Sequence, residues 1–152
     1  MRWIRGTGGQ SLVEIALSLP LLVFLLLGGA DLARAYALQL AVQNGARAGA
    51  EAVAIDVAPT DTLAVARALD EMGRTPGMNP NDATIVAAFK QADGLLDCID
   101  PPTVLTPCFA TVRVQYTFRT IVPWPLIPNV ANFDRSTTMR TISAPCDPVI
   151  CP

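Results

Sequence analysis

From residue 15 to residue 30 the chain reads IALSLPLLVFLLLGGA without a single charge, and Leu12 and Val13 extend this apolar run around Glu14. As a helix rising ~1.5 Å per residue, residues 12–30 span nearly the ~30 Å of a hydrocarbon layer. Helical character persists beyond them to about Ile55, through an alanine-rich stretch that lacks proline. There small residues recur every fourth position, at Ala33, Ala37, Ala41, Gly45 and Gly49. Four-residue spacing lines one helix face, and a stripe of small side chains lets another backbone come close. The expected partner of the stripe is this chain's own sheet, with a neighbouring subunit as the alternative and both open on different turns. Pro20 removes the donor that would serve the Ala16 carbonyl, so a kink or local opening is expected inside the apolar run.

The pattern then changes. Residues 56–60 (DVAPT) break the helix, and Thr60 or Asp61 caps a short one over about 62–72, with Leu63, Ala66, Ala68 and Leu69 at helical spacing. The loop GRTPGMNPND at 73–82 ends it. Residues 83–89 read as a strand with Ile85, Ala87 and Phe89 on one face, or as a short helix. Residues 110–119 alternate without ambiguity: Val112, Val114, Tyr116 and Phe118 against Thr111, Arg113, Gln115, Thr117 and Arg119. Residues 121–133 (IVPWPLIPNVANF) form a proline-broken apolar connection, expected to fold back onto the sheet, with exposure as a partner contact the alternative. A last strand is expected over about 135–143, before the proline-rich tail APCDPVICP. The architecture implied is α+β: a long N-terminal helix continuing into a head with one short helix and about three antiparallel strands.

Composition sharpens this. Hydrophobic residues make up 51% and charged residues 16% of the 152, too apolar for an ordinary soluble domain. With a formal net charge of −2, no histidine and Lys90 as the single lysine, the chain has no basic cluster to displace counterions, so nucleic acid is not an expected partner. The usual general base is missing, no Gly-x-Ser-x-Gly, phosphate loop or Cys-x-x-Cys occurs, and Asp93, Asp97 and Asp100 lie scattered in loop sequence. Neither an enzyme nor a cofactor is expected. Cys98, Cys108, Cys146 and Cys151 have no histidine to complete a mixed zinc site, and their spacings make no paired zinc knuckle, so no metal is expected. An even count in an exported head favours disulfides over free thiols. Of the three pairings, the sequence-local Cys98–Cys108 with Cys146–Cys151 is preferred.

Arg2 and Arg5 precede the apolar run and Asp31 follows it, which places the N-terminus in the cytoplasm and the head outside. Glu14 then needs a reason, because an unpaired carboxylate in lipid costs about 2.5–3.5 kcal/mol on insertion scales. The stretch Gly8-Gly9-Gln10-Ser11-Leu12-Val13-Glu14 resembles the processing site of type IV prepilin-like proteins, where a short basic leader ends in glycine and a glutamate stands fifth in the mature chain. More widely, Gly9, Val13, Glu14, Ala16, Leu17, Pro20, Asp31, Arg34, Gln43, Asn44, Ala46 and Arg47 follow the pattern of the TadE-like family over about residues 5–54. Gln10 departs from the aromatic or methionine that many pilins carry there, which bears on the efficiency of the leader peptidase.

The resemblance implies a minor pilin or pseudopilin of a Tad-type pilus or secretion apparatus, cut by a prepilin peptidase after Gly9, with Glu14 needed for assembly. Its partners would be other pilin or pseudopilin subunits, a membrane assembly platform and membrane lipid. The division expected is a leader at 1–9, a transmembrane helix at 10–30, its continuation at 31–55 and an extracytoplasmic head at 56–152. Two other readings stand beside it. One is an uncleaved single-pass anchor whose head binds a ligand or envelope partner, and the other is a soluble domain released after Ala30.

Overall fold

A computed structural model describes residues 8–99, 102–125, 127–143 and 145. Helix α1 runs unbroken from Gly8 to Ala54, 47 residues with Pro20 inside. Its two halves differ completely in cover. Residues 9–27 are exposed throughout, while Leu38, Ala41, Val42, Ala46, Ala50 and Val53 belong to the core. An apolar helix that its own chain leaves bare is unlike the central helix of a soluble domain, which would be buried. The helix is long and apolar enough to cross a membrane.

Helix α2, Asp61–Gly73, begins at Thr60, whose hydroxyl accepts from the Leu63 amide at 3.1 Å and so satisfies one of the free donors of the first turn. Its buried positions are Ala64, Ala68 and Met72. The helical face read from the sequence was therefore rotated: Ala66 is exposed and Leu63 and Leu69 are only half-buried. A 3₁₀ turn at Pro80–Asp82 leads into the sheet.

Strands β1 (Ala83–Gln91), β2 (Cys108–Arg119) and β3 (Val130–Arg140) form an antiparallel meander in the order β1-β2-β3. The ambiguous 83–89 stretch takes the strand form, with Ile85, Ala87 and Phe89 packed on the core. On β2, Cys108, Ala110, Val112, Val114, Tyr116 and Phe118 are all buried, as strict alternation requires. β3 begins five residues before the expected position and ends at Arg140 rather than 143. Its alternation is weak because it is an edge strand, with Phe133 and Met139 the side chains that reach the core. Residues 141–143 leave the ladder to tie down the end of α1: the Ile142 amide donates to the Ala54 carbonyl at 3.2 Å and the Ser143 hydroxyl to that of Asp56 at 2.7 Å.

The outer sheet face is polar. Arg113 grips Asp134 across the β2–β3 pair with Nε and Nη2 of its guanidinium, and Gln115 donates to the same carboxylate at 3.0 Å. Hydrogen bonds from Arg113, then Gln115, hold the Asp134 carboxyl down to about 2. The inner face lies against the second half of α1. The architecture is α+β, one long helix and one short helix against a three-stranded antiparallel sheet.

Candidate functional site

Three groups of candidate residues lie along α1. At its start, Gly9, Gln10, Val13, Glu14 and Leu17 line one shallow, open depression. Gln10 and Glu14, four residues apart, stand on neighbouring turns of the same face. Among the described residues the Glu14 carboxylate has no hydrogen-bond or ion-pair partner, and the Ser18 hydroxyl donates instead to the Glu14 backbone carbonyl at 2.7 Å. Among the described residues nothing stands where a Gly9 side chain would be.

The small-residue stripe divides in two. Ala41, Gly45 and Gly49 are buried, whereas Ala33 and Ala37 are exposed. The buried glycines meet α2 rather than the sheet alone, which corrects the expected partner. A Cβ on Gly45 would stand 2.5 Å from Met72 Cγ and 3.2 Å from the Ala68 carbonyl oxygen. One on Gly49 would stand 2.8 Å from the Ala64 carbonyl oxygen and 3.2 Å from Val112 Cγ1. The absent side chains therefore set the close crossing of the two helices and let Val112, on the inner face of the central strand β2, come against α1.

The third group sits where the bare half of α1 meets the head, and sequence reasoning singled out its members without bringing them together. Asp31 is 5% exposed. Its carboxylate accepts from the Ile121 amide at 3.0 Å, the Val122 amide at 3.4 Å and the Trp124 indole N–H at 3.2 Å, and pairs with Arg34 at 3.3 Å. The Ile121 amide, with Trp124, Val122 and the Arg34 charge against the opposing effect of burial, holds this carboxyl below its ordinary value. The Trp124 ring lies over Gly28 and faces Phe24 with centroids 6.2 Å apart. Arg34 in turn covers the Phe118 ring at 5.6 Å, and Phe118 stacks on Phe133. The first part of the 121–133 connection thus meets the helix through Ile121, Val122 and Trp124, while residues 130–133 open strand β3 and Phe133 packs on the core as expected of the sheet. Leu126, grouped with it from the sequence, lies outside the described residues. The signal that could have found this junction was present: one acid at the end of an uncharged run, and a distant loop with a tryptophan and no charge.

Cys98 and Cys108 form a disulfide with Cα atoms 5.3 Å apart, closing the loop between β1 and β2 onto the start of β2. The Lys90–Asp97 ion pair at 2.6 Å braces the same loop. Cys146 and Cys151 lie outside the described residues, so the second pairing stays an expectation. Among the described residues no group of three or more histidine, cysteine or acidic side chains is placed to hold a metal.

No curated protein and no solved structure matches the chain significantly. Residues 9–51 match one family model, described as TadE-like protein. The match begins at Gly9, runs through Glu14, Asp31, Arg34 and the glycines of the α2 crossing, and stops three residues before α1 ends. Helix α1 therefore carries this likeness to TadE-like proteins, which covers less than a third of the chain.

Proposed function

We propose that the chain is a minor pilin- or pseudopilin-like structural subunit of a Tad-type pilus or secretion apparatus, cut after Gly9 by a prepilin peptidase. The observation that carries this reading is the TadE-like match lying on the one helix whose first half its own chain leaves bare. A helix of that kind needs a bilayer before assembly and neighbouring subunits after it. In this reading the chain is not an enzyme. Its N-terminus faces the cytoplasm, its head lies outside, and it works by packing.

Glu14 is the assembly carboxylate. Cutting after Gly9 removes Arg2 and Arg5 and frees the amine of Gln10. That amine, from a neighbouring subunit or from one turn below in the same chain, is the cation that makes the carboxylate tolerable in low dielectric. Exposed Ala33 and Ala37 offer a close-approach surface for a second helix, separate from the glycines already used by α2.

Mass spectrometry of the mature N-terminus from the native host tests the reading. A chain beginning at Gln10 supports it. One beginning at Met1 supports the uncleaved anchor with a ligand- or partner-binding head, and one beginning at Asp31 a released domain. The junction weighs against release: a cut after Ala30 would strip Phe24 and Gly28 from the Trp124 ring.

A further inference from the structure

The junction carries more than a packing contact. The segment from Thr120 to Phe133 contains no charged residue. Asp31 fixes its first turn to α1 at the level where the uncharged run of the helix ends. An apolar groove of about 390 Å³ opens there, lined by Phe24, Leu25 and Leu32 of the helix and by Trp124, Ile127 and Phe133 of the head. Ile121 is 67% exposed, Ile127 62% and Leu32 73%, around a half-buried tryptophan. A water-facing loop of this composition would be an anomaly. At the outer edge of a bilayer it is ordinary, because an indole with an apolar body and a bonded N–H is at home between acyl chains and headgroups.

We propose that the β2–β3 loop is a second membrane-contacting element, seated in the outer interface of the bilayer beside the end of the spanning helix, so that lipid occupies the groove. The occupant follows from continuity: the groove is the upward extension of the helix surface that faces hydrocarbon, and Phe24 and Leu25 belong to both. Asp31 makes the arrangement tolerable. Two backbone amides, an indole N–H and a guanidinium satisfy its carboxylate, so the acid at the boundary presents little uncompensated charge to the lipid. The loop would also fix the depth and tilt of the helix, because a wedge on one side of a spanning segment resists both sinking and rotation. This inference rests on α1 spanning the membrane, and its test separates the two.

The full chain carrying Trp3→Phe has Trp124 as its one tryptophan. It is reconstituted in vesicles of phosphatidylethanolamine and phosphatidylglycerol, with lipids brominated either near the headgroup or near the chain end. Loss of Trp124 emission, greater with the shallow bromines than with the deep ones, is the expected result. A parallel chain carrying Trp3→Phe, Trp124→Phe and Leu21→Trp reports the middle of the span, where the deep bromines should quench most. Quenching at position 21 with none at Trp124 overturns the loop proposal and leaves the span standing. Absence of quenching at both overturns both. A Trp124 emission that lipid bromines leave untouched but that shifts to the red on dilution of protein in lipid also overturns the proposal, in favour of a second copy of this chain in the groove.

Discussion

Asp31 and Gly49 show how far single positions determine this molecule. The Asp31 carboxyl is held below its usual value of 3.8 by the loop it binds. The stabilisation it supplies is therefore complete above that value and lost as pH falls through the lowered one. Trp124 emission and the exchange of the Ile121 and Val122 amides should stay constant down to about the ordinary carboxylate range and change only in stronger acid. Asp31→Asn should remove that acid transition and raise amide exchange in the loop at neutral pH. A loop whose exchange is the same in both proteins would show that the carboxylate does not hold it. For Gly49→Ala two effects oppose each other. Helix propensity gains ~1 kcal/mol, whereas a Cβ 2.8 Å from the Ala64 carbonyl forces the two helices apart, and overpacking of that kind costs ~1–3 kcal/mol. Backbone cannot yield as a side-chain end can, so the substitution should lower the denaturation midpoint of the head. Gly29→Ala, with open space around it, should leave that midpoint where it is.

Among the elements, those with a strong period were legible from the sequence and those shaped by tertiary contacts were not. The extent of α1 and the alternation of β2 follow from apolar spacing alone. β3 was misplaced because an edge strand with two half-buried apolar side chains, Phe133 and Met139, has little alternation to read, and its first half sits among residues that look like loop. The small-residue stripe was visible, but spacing cannot say which neighbour uses it: Met72 and Ala68 of α2 fill the place assigned to the sheet. The junction at Asp31 pairs positions some ninety residues apart, a relation that no local period encodes. The β1–β2 loop has few packing contacts of its own to hold it, since Leu95, Val104 and Leu105 are exposed, and its disulfide compensates. Closing a loop of ten residues removes denatured-chain freedom worth about 2–3 kcal/mol. Replacing Cys98 with serine and Cys108 with alanine should lower the melting temperature, as should a reductant acting on the parent. A reductant that lowers the melting temperature of the double variant equally would assign the loss to another bond.

At the scale of the whole molecule, the division of labour lies along one helix: a bare half, a junction and a half packed in the head. Glu14 tests the bare half. Glu14→Gln keeps the shape and the hydrogen-bonding capacity but removes the charge. It should leave the head's stability and membrane insertion unchanged while surface piliation in the native host is lost or sharply reduced. Wild-type piliation in that variant would remove the carboxylate from the assembly step. A Glu14→Gln chain that no longer accumulates would instead point to a role in insertion.

Forty-seven residues of helix without an interruption make a rod of roughly 70 Å if straight, with Pro20 the position inside it that withholds a backbone donor. A pull on the head is therefore carried along the helix toward Glu14, and an axial step imposed at the N-terminal end moves the head with it. In the proposed reading, a partner that moves this chain can grip either end, because a continuous helix couples the two as a strut and not as a tether.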